Sequence, residues 1–229
     1  GGDPEHPAVL LVMGLGAQML FWPDFFCKSL IDQGYYVIRF DNRDIGLSSK
    51  IRHKGQRLNT FKLMGRFAVG LQNQGSAYTL FDMADDVALL IERLGLKNPH
   101  IIGASMGGMI AQILAAKYAD KIGKLGLLFT SNNQPLLPPP FPKQLFSLIG
   151  KPDSRDEEGI VSHSLKVFNI IGSPGYINQV DALQTARKLY QRSYYPAGVL
   201  QQFLAILCTG SLLQLDKQIQ HPTLVVHGS

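Results

Sequence analysis

The chain has 229 residues, of which 45% are hydrophobic and 17% are charged, as expected for a globular domain with one substantial core and not for a disordered chain. Its net charge of +5 comes from scattered basic residues, and the mild cluster at 50–57 lacks the interleaved aromatics of a nucleic-acid surface. No apolar run reaches the roughly 20 residues that cross a bilayer and no signal peptide is visible, so we expect a cytoplasmic protein with neither a membrane nor a nucleic-acid partner.

Five short apolar runs predict the strands of a parallel sheet that is buried on both faces. They occupy residues 8–14, 35–41, 99–105, 124–131 and 221–228. Segments with apolar residues at helical spacing lie between them, at 22–34, 79–95 and 106–121. This alternation predicts an α/β fold with a mostly parallel, doubly wound sheet.

A long segment, from about residue 132 to 218, interrupts the alternation. It opens with "QPLLPPPFPK", where neither a strand nor a helix continues, and three helical segments follow near 156–171, 177–193 and 196–208. We therefore expect a core at 1–131, a helical cap at 132–218 and a returning core strand at 219–229. Insertions at the carboxyl edge of a sheet usually cover the binding crevice. A small separate helical domain is the alternative.

The two cysteines, Cys27 and Cys208, both lie in apolar, helix-like surroundings. This setting favours two buried thiols over a disulfide. No metal-ligand spacing occurs in the sequence, and we expect neither a metal nor a cofactor.

The sequence "HIIGASMGGMIAQ" at 100–112 places Ser105 in a G-x-S-x-G motif between a strand-like run and an amphipathic helix. The motif is typical of a serine nucleophile on a sharp strand-to-helix turn. The glycines on either side, Gly103 and Gly107, remove side chains that would clash across that turn. The start of the helix favours negative charge that develops beside the serine.

Four segments together resemble the α/β-hydrolase family. Residues 10–18, "LLVMGLGAQ", resemble its oxyanion loop, with Met-Gly where most members have His-Gly. Residues 39–49, "RFDNRDIGLSS", resemble the turn after its fourth strand, and 221–229 resemble the strand that leads to its catalytic acid. The fourth segment is the turn at Ser105. The combination is most similar to esterases of the aclacinomycin methylesterase type.

The resemblance assigns a role to each residue of the motif. It implies that Ser105 is the nucleophile and that the backbone N–H groups of Leu15 and Met106 form the oxyanion hole. It implies a supporting role for three glycines, Gly14, Gly103 and Gly107. The charged residues of the second segment, Asp41, Arg43 and Asp44, are interpreted as braces of a loop and not as catalytic groups.

The resemblance also implies a catalytic acid after the sixth or seventh strand and a histidine after the eighth. No carboxylate follows the presumed sixth strand, which ends in Thr130-Ser131-Asn132-Asn133. We therefore expect both groups beyond residue 229, and we expect the chain to be truncated at both ends and weakly active or inactive as given. His227 is a minor alternative as the base, His163 in the cap is at most a substrate contact, and the other histidines read as ordinary.

The sequence thus predicts a serine hydrolase that cleaves a small apolar carboxylic ester through an acyl-enzyme on Ser105. Three other activities of the same fold stay open, namely perhydrolase, C–C hydrolase and amidase. So does a hydrolase-like scaffold that binds a ligand without turnover. Nothing in the sequence favours one oligomeric state. Aromatic residues of the insertion hint at an apolar substrate group: Phe146, Phe168, Tyr176, Tyr190, Tyr194, Tyr195 and Phe203.

Overall fold

A computed structural model describes residues 1–52, 58–135, 147, 150–173 and 175–228. The expectations for His53, for Phe146, for most of the proline-rich segment and for Ser229 fall outside these residues. The same holds for most of the basic cluster at 50–57. Among the described residues, none of the helices is both long and apolar enough to cross a membrane.

The sheet has five parallel strands in the order β2-β1-β3-β4-β5. The strands are β1 Ala8–Val12, β2 Tyr36–Arg39, β3 His100–Ala104, β4 Leu125–Leu128 and β5 Thr223–Val226. Each lies inside one of the runs that the sequence indicated, and the parallel α/β prediction is confirmed. The carboxyl ends of β1 and β3 are neighbours in the register, since Val12 pairs with Gly103. The loops that follow these two strands therefore meet at one edge of the sheet.

Eight α-helices lie in the described part of the chain, and several begin at a recognisable cap. Asn59, Asp156 and Asn178 each accept a hydrogen bond from a backbone N–H of the first turn, as good N-caps do. The bounds are α1 Asp24–Asp32, α2 Thr60–Ala68, α3 Leu80–Arg93, α4 Met106–Lys117, α5 Glu157–Ile171, α6 Gln179–Arg192, α7 Pro196–Thr209 and α8 Leu213–Asp216. We call α5, α6 and α7 together the helical insert, because they fall between β4 and β5 in the chain.

Strand β1 lies at the centre of the core, buried along its whole length. Leu10 and Val12 face the cluster that contains α3 and α4, while Val9 and Leu11 face the cluster that contains α1. Helices thus cover both faces of the sheet, as a doubly wound fold requires. Burying each such aliphatic side chain contributes about 1.5–3 kcal/mol to the stability of the fold. The loop that follows β1 therefore starts from a stable strand.

Two features differ from the sequence-based expectations. Helix α2 was not anticipated, although its amphipathic pattern and its cap at Asn59 are visible afterwards. Strand β5 is exposed throughout, where the apolar run indicated burial on both faces. It is an edge strand that pairs with β4 alone within the described residues, so its apolar side chains are left open. Cys27 and Cys208 are buried free thiols, as expected.

Buried polar groups join the helical insert to the core. Arg192, at the end of α6, pairs with the Asp41 carboxylate at 2.7 Å, and the side chains are 16% and 3% exposed. Arg192 also donates to Gln18 Oε1 at 2.6 Å. The Gln18 amide in turn donates to the carbonyls of Leu189 and Ser193. Each buried polar atom in this group therefore has a partner across the boundary between insert and core.

Replacing Arg192 by methionine leaves Asp41 buried without its ion-pair partner. Loss of one member of a buried pair usually costs about 3–5 kcal/mol, and we expect the free energy of unfolding to fall by about 3 kcal/mol. Among the described residues, Arg187 on the same helix pairs with half-buried Glu157 and exposed Glu158, and its own side chain is 41% exposed. The matched Arg187→Met change should cost no more than about 1 kcal/mol. Urea unfolding of both variants measures the difference, and equal losses would contradict it.

The same pair predicts a pH dependence. Burial of the Asp41 carboxyl opposes its ionisation, but hydrogen bonds from Arg192, Met19 N–H and Leu47 N–H outweigh burial and hold its pKa below the ordinary value. A lowered folded-state pKa contributes stability above the unfolded value of about 4, and that stability disappears as the pH falls through the folded pKa. The stability gap between wild type and Arg192→Met should therefore narrow below about pH 4.

Candidate active site

Ser105 occupies a sharp turn between β3 and α4. Its φ of 53° and ψ of −122° lie outside the regions that residues with a side chain prefer. Such a conformation costs on the order of 1–3 kcal/mol and persists only where the surroundings enforce it. The residue is exposed, while its neighbours Ala104 and Met106 are buried. The turn therefore presents a single hydroxyl above a packed layer.

Hydrogen bonds to its backbone hold Ser105 in this conformation. Its N–H donates to the Leu128 carbonyl at 3.0 Å, which fixes it to the end of β4. Its carbonyl accepts from the N–H groups of Gly108 and Met109 in the first turn of α4. The Thr130 hydroxyl also donates to this carbonyl, at 2.6 Å. The strained residue is thus tied both to the sheet and to the helix.

The two glycines of the motif allow helix and strand to approach closely. A Cβ on Gly107 would lie well under 3.0 Å from the carbonyl oxygen of Val12, at the end of β1. A Cβ on Gly103 would be equally close to the Gly107 carbonyl. These obstacles are backbone atoms that cannot rotate away. The supporting role predicted for both glycines therefore has a steric reason.

The loop after β1 lies directly beside the serine. A Cβ on Gly14 would stand 3.1 Å from Ser105 Cβ, so a larger residue there would be in tight contact with the Ser105 side chain. The chain then turns, with Ala17 N–H donating to the Gly14 carbonyl at 3.3 Å and Gly16 at a φ of +70°. Leu15 and Gly16 are the central residues of this turn. We call residues 14–17 the glycine loop.

Two backbone N–H groups near Ser105 are available to a ligand. Met106 is the first residue of α4, where an N–H has no partner within the helix. Leu15 lies outside every helix and strand, and its N–H makes no backbone hydrogen bond within the described part of the chain. The positive end of the α4 dipole adds to their field. The arrangement suits an oxygen that gains negative charge, and the assignment of these donors stays a prediction.

The charged loop after β2 is held by its own carboxylates, in line with the bracing interpretation. Asp41 accepts from the N–H groups of Met19 and Leu47, at 2.8 and 3.0 Å. Asp44, fully buried, accepts from the Tyr78 hydroxyl at 2.6 Å. Burial and then this hydrogen bond raise the pKa of Tyr78 well above its ordinary value. Arg43 makes two contacts with a carboxylate on α3 and does not reach the serine.

Among the residues that the structure describes, no histidine makes a hydrogen bond to the Ser105 hydroxyl, and this includes His163 and His227. His100 Nδ1 accepts a backbone N–H at 3.0 Å, and His227 Nδ1 lies 3.0 Å from a neighbouring carbonyl. His227, the minor alternative as the base, is thus not hydrogen-bonded to Ser105.

The aromatic residues of the helical insert divide into two groups. Phe203 is buried in an apolar cluster against which Leu15 of the glycine loop packs, and Phe168 meets the Phe21 ring edge-on at a centroid distance of 5.1 Å. Tyr176 is almost fully exposed, while Tyr190 and Tyr194 contact each other. Phe168 and the cluster that contains Phe203 therefore pack against the segment that follows β1.

Sequence reasoning missed the polar residues that connect the insert to this site. Gln18 and Arg192 bridge the two parts, and Gln202 of α7 contacts the glycine loop directly. Thr130, noted only for lacking a carboxylate, binds the Ser105 carbonyl. The one available signal was a pair of glutamines inside the apolar run "GVLQQFLAILC" at 198–208. A polar residue on the buried face of a helix needs a partner, and the sequence does not indicate which.

Comparison with known proteins agrees with this geometry. The model of the alpha/beta hydrolase fold family matches residues 7–165. A rhodomycin D methylesterase of Streptomyces peucetius is 28% identical over 121 residues, which is 53% of this chain and 34% of that protein. A poly(3-hydroxyalkanoate) depolymerase of Ectopseudomonas oleovorans is 29% identical over 229 residues, covering 99% of this chain and 69% of that protein.

Among solved structures, the enol-lactonase of Burkholderia xenovorans LB400 superposes with a TM-score of 0.70 at 21% identity. The match covers 100% of this chain and 75% of that one. At this identity the superposition supports the fold alone. The matched residues span about a third of the methylesterase's length, since they cover 34% of it.

A single methyl group tests the close approach at the serine turn. We expect Gly107→Ala to lower the free energy of unfolding by about 2 kcal/mol or more, because its Cβ meets the Val12 carbonyl and neither backbone can move. Gly65, inside α2, has open space around a Cβ. The matched Gly65→Ala should instead stabilise by up to about 1 kcal/mol, as alanine does in a helix. Opposite signs in chemical denaturation are the expected result, and two equal effects would count against the steric argument.

Proposed function

The chain belongs to the α/β-hydrolase fold family, and from that premise we propose that it is a serine hydrolase that cleaves carboxylic esters through an acyl-enzyme on Ser105. One observation carries the proposal. Ser105 is exposed on a strained turn with a positive φ, at the start of α4 and beside the glycine loop. A protein keeps such strain where an activated group must be presented.

The proposed reaction follows from the positions of the donors. The Ser105 oxygen attacks the ester carbonyl carbon while a general base takes the hydroxyl proton. The carbonyl oxygen becomes an oxyanion that accepts from Leu15 N–H and Met106 N–H. The tetrahedral intermediate then expels the alcohol, which takes the proton from the base. Water attacks the acyl-enzyme in the same manner and releases the acid and Ser105.

The base and the acid are not assigned to described residues of this chain. A serine hydroxyl is a weak nucleophile at neutral pH without a partner that accepts its proton. No described histidine bonds to Ser105, so we propose that a histidine outside the described residues supplies the base and that an acid there orients it. The proposal concerns the protein as its gene encodes it.

The substrate that we propose is a small ester with an apolar acyl or alcohol group. Two similar proteins carry names that denote ester cleavage, a methylesterase and a polyester depolymerase. We further propose that the helical insert acts as a cap over the site. Leu15 packs on the cluster that contains its Phe203, and its Phe168 packs on Phe21, so apolar side chains of the insert stand close to the proposed oxyanion hole.

A binding protein without turnover is the second candidate. It is favoured by one observation, that the serine hydroxyl has no histidine partner among the described residues. Such a scaffold would keep the fold and the turn at Ser105 while its hydroxyl stays unreactive. Amide, perhydrolysis and C–C substrates are distinguished from esters only by assay.

Covalent labelling tests whether Ser105 is activated. The full-length protein is incubated with a fluorophosphonate and examined by intact mass spectrometry and peptide mapping. We expect one adduct, on Ser105, because only an activated serine attacks the phosphorus centre. Ser105→Ala should remove the adduct, and Ser131→Ala, at a serine three residues past β4, should keep it. Hydrolysis of p-nitrophenyl esters should follow the same pattern.

The outcomes separate the two candidates. An adduct together with ester turnover supports the hydrolase. A folded protein that neither labels nor turns over esters, amides or peracids contradicts it and supports the binding scaffold. Circular dichroism on each variant shows that the fold is retained.

The oxyanion hole is tested by removing one N–H without removing the residue. Leu15 is the second residue of a β-turn, a position that proline favours, and Leu15→Pro deletes its donor. We expect kcat to fall about 10²–10³-fold, the usual effect of losing one such donor. Leu15→Ala keeps the N–H and should lose less than about tenfold. Similar losses in the two variants would mean that the side chain of Leu15 matters and its N–H does not.

A further inference from the structure

Gln202 connects the helical insert to the glycine loop. It lies on α7 and is fully buried. Its Oε1 accepts a hydrogen bond from Gly16 N–H at 2.9 Å, and its Nε2 donates to the Arg43 carbonyl at 2.8 Å. One amide group thus binds the loop after β1 and the loop after β2. These partners are 186 and 159 residues away in the chain.

The bonded N–H belongs to the central peptide of the turn in the glycine loop. In a turn closed from Gly14 to Ala17, the peptide between Leu15 and Gly16 has two orientations, which distinguish type I from type II. The φ of +70° at Gly16 corresponds to type II. Because Gln202 accepts the Gly16 N–H, it holds this peptide in the type II orientation. The other orientation would point the Leu15 carbonyl where the N–H now lies.

Helix α7 also packs against the glycine loop through apolar side chains. A Cβ on Gly16 would stand 3.2 Å from both methyl groups of Val199, one turn before Gln202. Leu15 packs against the apolar cluster that contains Phe203, the next residue, and Leu207, also on α7. The loop therefore has an apolar contact on each side of the hydrogen bond. These contacts limit where it can move, and the hydrogen bond fixes its peptide plane.

We propose that Gln202 is a positioning residue for the oxyanion hole: its hydrogen bond to Gly16 N–H fixes the place of the glycine loop, and with it the Leu15 N–H, which belongs to the preceding peptide. The inference rests on the proposed function, because it assumes that Leu15 N–H stabilises the oxyanion. Gln202 does not touch the substrate in this account. It affects the reaction through the position of the glycine loop. We therefore expect the position of the helical insert and the rate of the chemical step to be coupled.

The test compares Gln202→Met with Gln201→Met. Methionine has nearly the same length and no amide, so the loop loses its acceptor with little change in volume. Gln201, the adjacent residue, donates to the Ile51 carbonyl at 2.9 Å and does not contact the glycine loop. It gives the matched control for loss of one buried glutamine bond on α7. Both variants are made in the full-length protein.

Ester kinetics give the first readout. With p-nitrophenyl acetate, Gln202→Met should lower kcat about 10–100-fold and leave KM within about threefold, since a displaced donor affects the transition state more than the bound substrate. Affinity for benzeneboronic acid, which forms a tetrahedral adduct with a serine oxygen, should fall by a similar factor. Gln201→Met should change neither. Equal kinetic effects in both variants would overturn the inference.

Amide hydrogen exchange gives a readout that needs no activity. The peptide that covers residues 13–18 should exchange faster in Gln202→Met than in wild type or Gln201→Met, because the Gly16 N–H loses its acceptor. Suppose that the wild type is labelled at Ser105. If Gln202→Met then has the exchange rate and the kcat of the wild type, the inference is wrong. If wild type neither labels nor turns over, the proposed function fails, while faster exchange would still show that Gln202 holds the loop.

A second variant covers the case in which Gln202→Met does not fold. Gln202→Glu keeps an oxygen for the Gly16 N–H and removes the donor to the Arg43 carbonyl when it is ionised. It should retain more kcat than any variant that lacks the acceptor, such as Gln202→Leu. An order with leucine above glutamate would overturn the inference, since it would show that the acceptor at Gly16 is not what matters.

Discussion

The positive φ of Ser105 is the constraint on which the rest of the site depends. A strand that must turn into a helix within one residue brings the backbones of β1, β3 and α4 together more closely than side chains permit. This closeness explains why residues 103 and 107 are glycines, which have no side chain. It also explains the bonds to the Ser105 backbone from β4, from α4 and from Thr130. The backbone strain at Ser105 and the contacts that maintain it involve the same residues, so a substitution near the turn changes both.

The constraint extends from the serine to the loop that faces it. Gly14 lies against Ser105, and the glycine loop must then turn away within a few residues, which leaves polar backbone groups inside the molecule. Buried N–H and carbonyl groups need partners, and the core does not supply all of them here. Gln202 supplies two of them from the helical insert, at Gly16 N–H and at the Arg43 carbonyl, and Gln18 of the core in turn donates to two carbonyls of the insert. The insert and the core therefore complete each other's hydrogen bonding.

The sequence was sufficient for the elements and for the turn at Ser105, because both follow from local patterns. Five apolar runs became five parallel strands, and G-x-S-x-G with its flanking strand and helix located Ser105. The failures have physical causes. Burial of β5 depends on what packs beside it, and α2 has an amphipathic pattern too short to stand out. The role of Gln202 rests on a partner 186 residues away, and no local pattern encodes such a contact.

These contacts show that the core and the helical insert hold different parts of the site. The core holds Ser105 rigidly, since its supports are backbone bonds and close-packed glycines that do not change rotamer. The insert contacts the facing loop through side chains, since Gln202 bonds to Gly16 N–H and the cluster that contains Phe203 packs on Leu15. Side chains vary more easily than a backbone turn. Under the proposed function, we expect changes in the insert that alter the space for a substrate to alter the placement of the Leu15 N–H as well, so that substrate range and turnover depend on the same few residues.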